Sequence, residues 1–254
     1  MSFSARAGSA ATPSHRAFAP ILNPSVAESG HLERRELAEV DDGDSTKFKI
    51  FAVQHTVERT RASALLQRRY AWRGYSVQPL DAGTSGRMTL SAALDRDVVA
   101  TITASLDSAD GFYVESVYPG EVQALRAAGR TLCEFTKLAV DESLRSQALL
   151  AAIFHVAFIY VMEVHGCTDA LIEVNPRHVR FYEQMLGFRQ AAEERLDPSV
   201  NAPAVLMRLD LQHCAREIDR LGGRRNEGAR ERSFYPHFFG RGTADEIVGR
   251  LRTH

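Results

Sequence analysis

Between Thr131 and Met162 the spacing of apolar positions changes period once, and the rest of the chain is read from that change. Thr131 to Val140 (TLCEFTKLAV) alternates and is rich in Thr, Phe, Leu and Val, which predicts a strand. Asp141-Glu142-Ser143 breaks the alternation and supplies helix-start residues. From Leu144 the apolar residues fall at helical spacing and then cover nearly every side. Ala148 to Met162 holds no charged residue, only His155. A helix apolar all round is buried, and this run is shorter than the roughly 20 residues a bilayer span needs, so it predicts a core helix.

The flanking pattern predicts further elements. Lys47 to Val53 alternates as a first strand, and Thr56 is placed to cap a helix to about Tyr70 with Leu65 and Leu66 facing in. Met88 to Leu94 and Val98 to Leu106 read as a hairpin turning at Asp95-Arg96-Asp97, and Asp81 to Gly86 as a plain loop. Glu121 to Ala128 predicts a short helix ended by Gly129. Thr168 to Val174 predicts a strand, Arg177 to Met185 a helix ended by Gly187, and Phe188 to Ala192 and Val205 to Leu211 the last strands. Cys214 to Leu221 is helical in pattern.

Residues 1 to 45 are rich in Ala, Ser, Pro and Gly and read as a mobile N-terminal arm, with a short helix at His31 to Val40. Gly222 to Arg232 reads as a charged linker. Phe234, Tyr235, Phe238 and Phe239 follow, and Thr243-Ala244-Asp245-Glu246 predicts a capping box opening a last helix to about Arg252. Such aromatics need burial, so this tail is expected to pack back on the main domain. The order of elements predicts an α/β (α+β) fold, a sheet of about six or seven strands flanked by helices over residues 46–222, with 223–254 as a C-terminal tail.

Composition narrows the function classes. Apolar residues at 44% and charged residues at 25% of 254 are ordinary for a globular protein, and a net charge of −1 argues against bulk nucleic-acid binding. Three widely spaced cysteines without metal-ligand spacing fit reduced thiols in the cytoplasm, and no signal-peptide core or transmembrane segment is expected. No metal site is expected. Neither a Gly-x-Ser-x-Gly elbow nor a His-Glu-x-x-His motif occurs, which weakens hydrolase and zinc-protease readings.

Candidate chemistry starts at Glu134. A carboxylate in mid-strand among apolar neighbours is costly unless a cleft solvates it or a reaction uses it. The bland reading pairs it with Lys137 or Arg130. Asn175, Pro176, Arg177 and His178 follow a strand, where ligands collect in open sheets, which makes His178 a second candidate base. His155 reads as a hydrogen-bonded core histidine.

Strand, turn and long helix, followed by NPRHVRFYEQMLGF at Asn175 to Phe188, resemble the GNAT acyltransferase fold. The nearest likeness is to the long-chain N-acyl amino acid synthases, over about Phe48 to Leu221. Those resemble the acyl-homoserine-lactone synthases, whose fourth strand carries Glu-x-x-Arg-Phe. Here Glu134-Phe135-Thr136-Lys137-Leu138 has Lys for Arg. An Arg-rich helix end followed by Gly74-Tyr75 is a further point of likeness.

The resemblance implies a mixed, mostly antiparallel sheet. It also implies an N-acyltransferase joining a long-chain acyl group from acyl carrier protein to the α-amine of an amino acid. Glu134 would take the amine proton and Tyr182 would donate to the leaving sulfur. Arg68, Arg69, Arg73, Lys137 and Asn175 would contact the amino acid. Backbone N–H groups of Leu138, Ala139 and Val140 would hold the thioester oxygen, and Ile153, Phe154 and Phe158 would line the acyl slot with the tail aromatics.

Coenzyme A-using GNAT enzymes carry a glycine-rich turn before the helix. Here it reads Arg145-Ser146-Gln147-Ala148-Leu149, with no glycine, a loss that the two synthase families share. The expected donor is therefore acyl-phosphopantetheine on acyl carrier protein rather than acyl-coenzyme A, with Arg145 and Ser146 at the pantetheine arm. Arg145, Arg126 and Arg130 form the expected docking patch for an acidic carrier. No tightly bound cofactor is expected. The alternatives are a GNAT enzyme using acyl-coenzyme A on a small amine, and a catalytically silent acyl-binding regulatory module.

Overall fold

The computed structural model describes residues 35–43, 46–71, 80, 86–144, 146–225 and 231–253. The change of period falls where the sequence places it. Strand β5 (Leu132–Val140) leads into helix α3 (Gln147–Ile159), which ends in a π-helical turn at Tyr160–Val164. Ser146 caps the helix, its hydroxyl accepting the Leu149 N–H at 3.1 Å. The stretch Gln147–Val164 is long and apolar enough to cross a membrane, yet 72% of it is buried inside the fold.

Among the described residues, nine strands form the sheet. In chain order they are β1 (Glu36–Asp41), β2 (Lys47–Ala52), β3 (Arg87–Leu94), β4 (Asp97–Leu106), β5, β6 (Asp169–Val174), β7 (Arg189–Gln190), β8 (Arg195–Asp197) and β9 (Ala202–Asp210). Their spatial order is β1-β2-β3-β4-β5-β6-β9-β7, with β8 paired to β9. Among the described residues only β5 and β6 run parallel; the other pairings are antiparallel. The helices are α1 (Thr56–Ala71), α2 (Pro119–Ala127), α3, α4 (Val179–Leu186), α5 (Leu211–Leu221) and α6 (Arg241–Arg252).

Register fixes what each face carries. On β3, β4 and β5, Arg87, Thr89 and Ser91 align with Ser105, Thr103 and Thr101, and Ser105 and Thr103 with Glu134 and Thr136. Side chains alternate along a strand, so these residues share the face that α1 crosses. The opposite face presents Leu90, Ala92, Ala100, Ile102, Ala104 and Phe135 to the main core, into which α3 packs. Each large apolar side chain buried there contributes about 1.5–3 kcal/mol.

Alpha3 is apolar on its far side because the C-terminal segment covers it. Phe234 stacks on Phe154 with ring centroids 6.2 Å apart, and Phe238 lies 5.9 Å from Phe158 and 4.6 Å from His155. The Tyr235 hydroxyl donates to the Leu186 carbonyl at 2.6 Å. The His155 Nδ1 accepts the Phe239 N–H at 2.9 Å, so the buried histidine is hydrogen-bonded in the core.

Four local readings differ from the pattern. Residues 36–41 form strand β1 and not a helix. Leu37, Ala38 and Val40 fit either period, and pairing with β2 decides, helped by Lys47–Glu39 at 2.7 Å and Lys49–Glu36 at 2.9 Å. The sheet gains β1 and the three-residue β8 over the six or seven strands expected. Helix α6 starts at Arg241 with Gly240 as its N-cap, so Thr243 lies inside it and no capping box forms there. Thr56 lies inside α1, its hydroxyl accepting from Arg59 at 3.0 Å, while Glu58 reaches back to the Gln54 N–H at 3.2 Å.

Candidate active site

The site begins where two parallel strands part. Pairing of β5 with β6 stops at Glu134 and Leu171, while β5 runs on to Val140 and β6 to Val174. Just past the parting, β5 bulges: Thr103 faces Thr136 and Thr101 faces Ala139, which leaves Lys137 and Leu138 opposite Ile102 alone. Lys137 has φ +52°, a conformation that costs a non-glycine residue roughly 1–2 kcal/mol. Hydrogen bonds hold it: Thr101 donates to the Lys137 carbonyl at 2.9 Å and the Tyr70 hydroxyl to the Leu138 carbonyl at 3.2 Å. The Asp141 N–H donates to Val99 on β4 at 2.8 Å. Alternation then turns the Val140 N–H away from β4, toward the edge that β6 has left.

Glu134 lies at the parting point, 1% exposed. Neither Lys137 nor Arg130 pairs with it. Its two oxygens accept the Tyr113 N–H at 3.0 Å and the Val114 N–H at 2.9 Å, both from the one-turn helix Tyr113–Ser116. Burial pushes its pKa up to about 7, against the pull of these two bonds and of Arg87. A cleft of about 200 Å³ opens over it, bordered by Tyr113, Ser116, Thr136, Lys137, Glu173 and Asp197. Burial, then Asp197, then Glu134 push Glu173 up to about 7 as well. The cleft thus gathers carboxyl groups poised to trade protons near neutral pH, together with a Thr136 hydroxyl that has no hydrogen-bond partner.

The other expected residues are distributed as follows. Lys137 reaches the cleft wall. Tyr182 on α4 has a half-buried ring packed edge-on to Phe188, and its hydroxyl end is deeply enclosed; burial, then Tyr70, raise its pKa. His178 is in the turn before α4 and is not among the residues bordering the cleft. Asn175 holds that turn, accepting the Arg177 N–H at 3.3 Å and donating to the Pro203 carbonyl at 3.4 Å. Arg68 lies 3.8 Å from Asp141, and Arg69 pairs with Glu142. Ile153, Phe154 and Phe158 are core residues, and Phe158 also borders a separate cavity of about 630 Å³ between α3, α5 and α6. Arg73 and Arg145 lie outside the described residues.

The expected docking patch is not a set of free cations. Arg126 forks between Asp107 and Glu115 at 2.6 Å, and Arg130 pairs with the buried Asp169. Sequence reading missed Glu173, Asp197 and Arg87. Glu173 carried the signal that singled out Glu134, one carboxylate in an apolar strand (ALIEV). Arg87 carried none, because its place follows from register.

Residues 61–210 match the family model described as N-acyl amino acid synthase FeeM. The solved structure of FeeM, an N-acyl amino acid synthase from uncultured soil microbes, is 25% identical, with 67% of this chain and 95% of that chain covered and a TM-score of 0.61. A putative N-acetyltransferase from Lactobacillus plantarum is 20% identical, covering 65% and 98%, with a TM-score of 0.47. The AHL synthase LasI is 13% identical, covering 65% and 91%, with a TM-score of 0.48. No curated protein matches the chain significantly. The mostly antiparallel sheet with its parted strands is of the GNAT type, and the family match spans more than half of the chain, so the protein is an N-acyltransferase that belongs to the N-acyl amino acid synthase FeeM family.

Proposed function

We propose that the chain transfers a long-chain acyl group from the phosphopantetheine of acyl carrier protein to the α-amine of an amino acid. The observation that carries this is Glu134, a buried carboxyl with pKa about 7 at the floor of a cleft beside the parted strands. An amino acid arrives as an ammonium ion, which cannot attack. Glu134, ionised, takes one proton and leaves a neutral amine. The amine attacks the thioester carbonyl, and the Val140 N–H, turned to the open edge, donates to the oxygen that gains charge. As the C–S bond breaks, the thiolate takes a proton from the Tyr182 phenol, which burial keeps protonated. The nitrogen, positively charged after its attack, gives up its second proton to the carboxylates of the cleft. Of the two protons taken from nitrogen, one returns to Tyr182 through solvent and the other is released. No acyl-enzyme is formed in this scheme.

The choice of donor is supported by the turn before α3. It has no glycine, and the Ser146 hydroxyl already occupies the Leu149 N–H, so fewer backbone donors are left for a pyrophosphate. The test uses the full chain with the same long acyl group on acyl carrier protein and on coenzyme A, a panel of amino acids, and mass spectrometry of the product. An N-acyl amino acid with higher kcat/KM from the carrier is expected. A preference for coenzyme A overturns the donor assignment, and no amide from either donor overturns the reaction.

A further inference from the structure

We propose that Arg87 anchors the carboxylate of the acceptor, so that one row of the sheet reads both charged ends of an amino acid. This rests on the acyl-transfer reading and names the acceptor contact within it. Arg87 on β3 aligns with Ser105 on β4, and Ser105 aligns with Glu134 on β5. The three project to the same face. Neighbouring strands lie about 4.8 Å apart, so the outer backbones of the row are separated by roughly 10 Å, a gap that two side chains and a small zwitterion span.

Other partly buried arginines are occupied: Arg69, Arg126, Arg130 and Arg208 each pair with a carboxylate, and Arg59 and Arg61 donate to backbone carbonyls. Among the described residues Arg87 has no ion pair. Its guanidinium stands 5.3 Å from the centre of the Tyr113 ring, which borders the cleft, and its charge is felt at Glu134. A partly buried guanidinium favours a carboxylate, which its planar fork takes through two parallel hydrogen bonds. Between Arg87 and Glu134, the Ser105 hydroxyl is buried, in a residue 2% exposed, without a partner among the described residues. Buried hydroxyls are nearly always satisfied, and a ligand oxygen would satisfy this one. At the other end Glu134, Glu173 and Asp197 favour an ammonium. Cation, hydroxyl and carboxylates in that order match an α-amino acid and leave a simple amine half unread.

The experiment compares an α-amino acid with its decarboxylated amine as acceptors, using one acyl donor, in the parent, Arg87→Ala and Arg87→Lys. Losing a charged hydrogen-bond pair should raise KM for the amino acid about 10- to 100-fold in Arg87→Ala, with kcat little changed. The decarboxylated amine should react at near the parental rate, so discrimination collapses. Arg87→Lys should recover part of it and guards against loss of fold in the alanine variant. Equal use of both acceptors by the parent, or discrimination that survives Arg87→Ala, overturns the proposal while N-acyl transfer stands. Collapse in Lys137→Ala with Arg87→Ala unaffected overturns it too. If the parent acylates neither acceptor, the reaction reading has failed, and calorimetric titration of the amino acid still decides. At least tenfold weaker binding to Arg87→Ala supports the anchor, and equal binding overturns it.

Discussion

Replacing Glu134 by Gln keeps the size of the side chain and removes its titration. Its pKa rises from 4.5 to about 7 on folding, at 1.36 kcal/mol per unit, so the ionised form costs the fold about 3 kcal/mol. The folded state holds this proton more tightly than the unfolded chain. Stability from this group is therefore greatest below pH 4.5, falls as the pH rises, and carries the whole penalty by about pH 8. Gln cannot ionise and escapes that slope. Its NH₂, however, must face the N–H of Tyr113 or Val114, and one buried donor left unpaired costs about 1–3 kcal/mol. At pH 8 the two effects cancel to within about 2 kcal/mol, and at pH 5, where the parent already carries about 1 kcal/mol of the penalty, the variant is the weaker protein by up to about 2 kcal/mol. Amide formation should fall about 10²-fold or more at pH 8, and the gap should narrow at pH 5, where only about 1% of Glu134 is ionised in the parent. Urea unfolding at pH 5 and pH 8, with turnover on the same preparations, checks both halves. Glu173 titrates in both proteins, and losing the Glu134 charge relieves only the smallest of the pushes on it, so the difference reports mainly Glu134. Turnover at pH 8 within a few-fold of the parent refutes the base role, and a parent–variant stability gap independent of pH refutes the buried titration.

Three other outcomes follow from packing and charge. Phe238, 1% exposed against His155 and Phe158, holds the C-terminal segment, and Phe238→Ala should cost about 3–5 kcal/mol in urea unfolding. Gly187 ends α4 at φ +81°, and an added Cβ would stand 3.1 Å from His213; Gly187→Ala should cost at least about 1–2 kcal/mol by thermal unfolding, and Gly187→Asn less. Asp169 is fully buried between Arg130 and Arg208. Burial raises its pKa, but Arg130, Thr168 and Arg208 outweigh this and hold it below the usual range. Asp169→Asn should therefore cost about 3–5 kcal/mol near neutral pH, and the loss should shrink on acidification as the parent's own carboxylate protonates.

What could be read ahead of the structure was whatever a short stretch decides by itself. The strand and helix from Leu132 to Ile159 were legible because α3 is covered on both sides, so its composition had no competing explanation. Glu134 was legible because an apolar strand has no local use for a carboxylate. His155 was legible for a related reason, since an apolar helix leaves a histidine only a core partner, here the Phe239 N–H. Where the outcome depended on a distant partner, the sequence was silent or misleading. Beta1 has apolar residues at 37, 38 and 40, which suit both periods, and it became a strand because β2 lies beside it. Arg126 and Arg130 read as part of a docking patch for an acidic carrier, and a charge count along the chain does not show that Asp107, Glu115 and Asp169 fold against them. Arg87 is the same case in reverse. It reads as one arginine opening a strand, and only two successive registers, β3 on β4 and β4 on β5, set it in line with Glu134. The carboxylate that does the proposed chemistry is thus a local feature, while the charge proposed to choose the acceptor is a product of sheet order. A one-residue slip of β3 would leave the first intact and turn the second to the opposite face.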